Sequence, residues 1–262
     1  MKIRSFPFVT QDTYKDICRY VIDESGYYEN PNSYLSNGFW VKTNYLHHFE
    51  EYLKNQEYVL FTGHCDLTVN ESHRHILQHP NLIRWFAVNN VIEDVKLKPI
   101  IMGMGDGRYS HGNIAIVNKI QQLKNEKTQL LYGNFKIENN KTQRQACLDY
   151  SHIKLAGRGL GTNTFESYLF DVSCSYFQLC PEGNGPDTHR IYDSLLMNCT
   201  PIVTENLYVQ AYRDAGFPIL VLKDWAELEK ITLSQELYYS IWKNFNVNEL
   251  TVEPYLKRLG LL

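Results

Sequence analysis

FQLCPEGNGPDTHRIYDSLLMNCTPIV, residues 177–203, reads as strand, glycine-bearing loop, helix and strand. The apolar runs at its two ends suit buried parallel strands, and the middle repeats apolar residues at helical spacing. Gly183 and Gly185 are expected to let the chain turn sharply and to keep side chains out from between backbone amides and a ligand. Asp187 or Thr188 is a suitable N-cap, so free N–H groups and the positive helix end face the loop. That combination attracts a diphosphate. Within the same loop, Glu182 would repel an anion placed beside it.

On the helix that follows, Arg190 and Asp193 share a face, with Ser194 and Met197 continuing it, while Ile191, Leu195 and Cys199 fall towards the sheet. A guanidinium near the helix start can grip phosphate oxygens in a fork, and a carboxylate one turn on can accept from two ribose hydroxyls. The same pattern also fits a capped core helix that carries a surface Arg–Asp pair.

Outward from this segment the chain alternates strands and helices. YVLFTG, IRWFAVN and KPIIMG upstream are short apolar runs closed by polar residues or Gly, and TQLLYGNF opens a second series. Helices are expected at 113–124, with Ile116, Ile120 and Leu123 on one face, and at 164–173 and 188–198. Strands are expected at SYFQLC, PIVT and FPILVL, Asp224 is an N-cap, and two more helical stretches close the chain. The first 55 residues show only a helix-like stretch at 43–55. The fold class is α/β, GT-B-like, with two Rossmann-like lobes whose mostly parallel sheets face a central cleft. The lobes are expected at 1–122 and 123–245, with a C-terminal helix in 246–262 returning to the first. A single α/β domain is the alternative.

With 262 residues, 44% hydrophobic and 21% charged, the chain can bury a sizeable core. A net charge of −3 gives no basic field for nucleic acid. The 19 tyrosines serve core packing or sugar stacking. Six cysteines without a CxxC pair, and an opening MKIRSFPFVTQD that turns polar at once, predict reduced thiols in a cytoplasmic protein. No window approaches the roughly 18 apolar residues of a membrane span.

The pattern F-x-L-x-P-x-G-x-G-x-D-T-x-R-x-x-D-x-L-x-x-x-C-x-P-I-V resembles the C-terminal nucleotide-binding signature of exostosin-like glycosyltransferases, which are GT-B enzymes. It is most similar to small enzymes of this family encoded by large algal DNA viruses, among which a xylosyltransferase is known. RWFAVN followed by KPIIMGMG, and LLYGNF with Arg144, extend the similarity over residues 61–221. The family more often has Glu where this chain has Asp193, and Arg or Lys in the loop that here carries Glu182. The resemblance implies inverting transfer from a nucleotide-sugar donor, UDP-sugar favoured and xylose suggested, to a glycan hydroxyl in the host cytoplasm. It gives Arg190 to the diphosphate and Asp193 to the ribose.

Inverting transfer needs a base from the opposite lobe. Asp66 is the candidate, because FTGHCD ends an apolar strand; His64 and Asp106 compete, and a turn cap is the structural alternative for Asp66. No DxD pair occurs to hold a divalent ion, so Arg190, the loop amides, and Arg144 or Arg158 are expected to neutralise the leaving group without metal or other cofactor. GMGDGRYSHG, 103–112, reads as a cleft loop. Two other readings stand beside transfer: a non-catalytic nucleotide- or glycan-binding module of the same fold, and a metal-dependent hydrolase using His64, Asp66, His73 and His75.

Overall fold

The computed structural model describes residues 6–53, 55–153 and 164–262; Arg158, expected at the donor site, lies outside them. The first half runs α1 (Gln11–Ile17), β1 (Cys18–Asp23), β2 (Gly26–Glu29), β3 (Leu35–Lys42), α2 (Leu46–Phe49), β4 (Tyr58–Gly63), α3 (Arg74–Leu77), β5 (Leu82–Ala87) and β6 (Leu97–Pro99). The second runs α4 (Ile114–Leu123), β7 (Gln129–Tyr132), α5 (Lys141–Ser151), α6 (Phe165–Ser173), β8 (Ser175–Leu179), α7 (His189–Leu196), β9 (Thr200–Thr204), α8 (Leu207–Asp214), β10 (Leu220–Leu222), α9 (Gln235–Trp242) and α10 (Val252–Arg258).

The strands form two sheets, so the protein is α/β with mostly parallel pairing. The six-stranded sheet has the order β2-β1-β3-β4-β5-β6, with only β2 on β1 antiparallel, and the four-stranded sheet β10-β9-β8-β7 is parallel throughout. The runs β3 to β6 and β7 to β10 pair in chain order, so neither reverses direction to make a crevice of its own. The loops after β4, β5 and β6 instead meet those after β7 and β8.

Alternation along the strands explains the core. Val21, Trp40, Phe61 and Phe86 of the first sheet join Val203 of the second and Ile191 and Leu195 of α7, which packs on it, in one cluster. Their neighbours Tyr20, Phe39, Leu60 and Trp85 pack on the opposite face of the first sheet, as Phe177, Leu179 and Ile202 do on that of the second. Each such buried ring or aliphatic chain contributes about 1.5–3 kcal/mol over its exposed state. The last helix, α10, joins the same central cluster: Val252 N donates to Pro7 O at 2.9 Å, and Ile101 N donates to the Tyr255 hydroxyl at 3.1 Å.

Several expectations need correcting. The first 55 residues hold three strands, and the helix foreseen at 43–55 is the short α2 flanked by 3-10 turns. On α4 the buried face is Val117 and Ile120, with Leu123 half exposed. Helix α7 is buried on nearly every side: Ser194 donates to Gln178 Oε1 at 2.6 Å, and Met197 is enclosed, so neither continues an open face. Among the described residues the six cysteines form no disulfide, and no helix is long and apolar enough to cross a membrane.

Candidate functional site

Loops from both sheets enclose a cavity of about 430 Å³. His64 and Asp66, just after β4, and Asp106 and Arg108, after β6, form one wall; Gly183 to Arg190 and Arg144 form the other. Arg144, Thr188, His189 and Arg190 also line an adjoining cavity of about 650 Å³, together with Phe135, Phe165, Tyr168 and Asp193.

The glycines work differently from the expectation. Neither Gly183 nor Gly185 has positive φ; what each provides is room. A Cβ on Gly185 would lie 2.5 Å from Asn89 Nδ2, and one on Gly183 3.1 Å from Arg144 Nη2. Arg144 braces the loop from below: Nε donates to Glu182 O at 2.7 Å and Nη1 to Lys136 O at 2.5 Å, while Asn140 Nδ2 reaches Gly183 O at 3.2 Å. The Glu182 carboxylate accepts from Asn206 Nδ2 at 2.7 Å and lines neither cavity.

Thr188 takes the N-cap position of α7, yet its hydroxyl accepts from Arg190 Nη1 at 3.3 Å instead of from a helix amide. Asp187 turns inward. Its carboxyl accepts from Met102 N at 2.8 Å, Thr188 N at 2.7 Å and the Tyr212 hydroxyl at 3.0 Å, and its own N–H donates to Asn89 Oδ1 at 3.0 Å. Burial pushes that carboxyl up to about 7 despite these donors. Asp187 thus ties the loop to the first sheet, a role the sequence did not suggest.

The site's electrostatics centre on Arg144 and Arg190. Arg190 Nε donates to Asn134 O at 2.9 Å, and among the described residues no carboxylate forms an ion pair with either guanidinium. Burial, and then the charge of Arg190, lower Arg144 to about 10. Two adjacent, partly desolvated cations bonded to neutral oxygens favour an incoming anion. Next to them Asp193 is 4% exposed and its Oδ1 has no hydrogen-bond partner. Burial pushes this carboxyl up to about 8, with Arg190 acting in the opposite sense. A buried acceptor without a donor, on a cavity wall, is a polar group left for a ligand.

Across the first cavity Asp66 is exposed and accepts from Asn184 Nδ2 at 3.1 Å. The hydrolase quartet does not assemble. The His73 ring accepts from Asn70 N at 3.2 Å, and the exposed His75 ring lies 3.0 Å from Ser72 O. His64 instead groups with Asp12 and Asp106, from three separate segments. His189 Nδ1 lies 2.8 Å from Gly103 O, and burial keeps both His189 and His111 below the usual histidine range. No family model matches the chain, and no curated protein matches it.

Proposed function

We propose that the chain is a glycosyltransferase, exostosin-like and GT-B-like, that moves a sugar from a nucleoside diphosphate donor to a glycan hydroxyl with inversion. The observation that carries this reading is the pair Arg144 and Arg190, two guanidiniums on one cavity wall without a carboxylate partner among the described residues, beside the Asp193 carboxyl, whose Oδ1 is unpartnered while the group bonds Tyr168. A diphosphate fits the cations, a ribose diol fits Asp193, and the rings of Phe135, Phe165 and Tyr168 offer apolar surface to a base. The sugar then extends into the smaller cavity, towards His64 and Asp66, where the acceptor enters.

As the bond to the diphosphate breaks, negative charge grows on its bridging oxygen, and the fixed guanidiniums stabilise it without reorganising. They supply the positive charge that a divalent ion supplies in other transferases, so the proposal includes no metal. The resemblance of residues 177–203 supports a UDP-sugar, with xylose as the first to try. The test is incubation of the purified chain with UDP-xylose, UDP-glucose and UDP-galactose plus glycan acceptors, with and without chelator. Donor-dependent transfer that survives chelation is expected; no UDP release or transfer from any donor would remove the proposal.

A further inference from the structure

The geometry points to His64, held by Asp106, as the group that takes the acceptor proton. This inference rests on the transfer reading above and deepens it. His64 lies at the end of β4 with φ +56°, in the left-handed region, its backbone N–H donating to Gln11 Oε1 and its side chain 3% exposed. Its Nε2 is 3.3 Å from Asp106 Oδ2 and 3.7 Å from Asp12 Oδ1. Its Nδ1 is 3.1 Å from Arg108 Nη2, and the ring edge packs on Trp40.

These neighbours fix the tautomer. A guanidinium only donates, so Nδ1 must accept and the ring proton sits on Nε2, facing the carboxylates. Asp106 is equipped for the role: burial raises its carboxyl, and the nearby His64 ring, the N–H of Asp12 donating to Oδ1 at 3.2 Å and the charge of His189 together more than reverse this, holding it below the usual carboxylate range. A carboxylate behind one ring nitrogen steadies the positive charge that develops when the other nitrogen takes a proton.

His64 and Arg108 both line the smaller cavity, and Arg108, 43% exposed, has two further partners besides His64, Glu24 at 3.6 Å and Asp106 at 3.8 Å. An acceptor hydroxyl takes the place of the guanidinium at Nδ1. Its proton passes to Nδ1 as its oxygen bonds the anomeric carbon, and the electron pair of the broken bond leaves with the nucleoside diphosphate. The imidazolium, paired with Asp106, later yields the proton to water. Asp66, exposed and tied to Asn184, has no such support.

The test uses His64→Gly, which suits the left-handed backbone and leaves a hole the size of imidazole, with His64→Asn as a second variant tolerated at that φ. Turnover is expected to fall about 10²- to 10⁴-fold with UDP affinity within about twofold of the parent, and added imidazole to restore at least about tenfold in His64→Gly alone. Turnover in His64→Gly equal to the parent's, a larger loss in Asp66→Asn than in either His64 variant, or no rescue would overturn the assignment. Nitrogen-15 NMR of the histidines gives a readout independent of transfer. The Nε2–H tautomer is expected for His64 in the parent, and an Nδ1–H tautomer would refute the dyad even if the parent moved no sugar.

Discussion

Asn89, just past β5, occupies the space that a side chain on Gly185 would need, and its Oδ1 takes the N–H of Asp187 at 3.0 Å. One asparagine thereby docks the glycine loop of the second sheet on the first.

Gly185→Ala must push this contact apart. It is expected to cost about 1–3 kcal/mol in denaturant unfolding, the range of an overpacked interior site. At Gly183 the nearest atom is the tip of Arg144, so Gly183→Ala should cost less stability yet weaken UDP binding by displacing the guanidinium. Equal stability losses at the two positions would show that the loop does not dock as described.

Asp187 and Asp193, both ordinarily near 3.8, stand at about 7 and about 8 in the fold. The folded protein therefore keeps protons that the unfolded chain has released, and these groups make stability fall as pH rises from about 4 to 7 or 8. Each contributes a slope of at most about 1.4 kcal/mol per pH unit. Subtracting the Asp193→Asn profile from that of the ligand-free parent should reveal such a falling curve; a difference flat between pH 5 and 8 would mean that Asp193 is not held protonated.

If Asp193 holds the ribose, the parent should bind UDP about 5- to 150-fold more tightly than its 2′,3′-dideoxy analogue, from two hydrogen bonds of about 0.5–1.5 kcal/mol each. Asp193→Ala should bind the two alike. Calorimetric titration of both nucleotides into both proteins decides this, and discrimination that persists in Asp193→Ala places the ribose elsewhere.

What the sequence made legible was whatever one segment carries by itself. β4, β8 and β9 announce themselves as compact runs because both of their faces are covered, and β5 does so through Trp85, Phe86 and Ala87 despite Arg84 and the exposed Ile83. β1 and β3 do not, since Arg19, Ser36 and Asn37 interrupt them, and β2 is an exposed edge. Arg190 and Asp193 could be paired from their spacing on one helix, whereas the enclosure of α7 depends on elements far along the chain. His64, Asp12 and Asp106 converge only through the fold, and so does the contact of Asn89 with Gly185. Asn89 did leave one signal: asparagine after a strand often marks a left-handed residue, and its φ is +58°.

Titration of UDP into the parent and into Arg190→Ala tests the central claim most directly. The two-arginine site predicts stoichiometric binding by the parent and at least about tenfold weaker binding by the variant, from the loss of one charge-assisted contact. Equal affinity in the two proteins, or no binding to the parent, would contradict it.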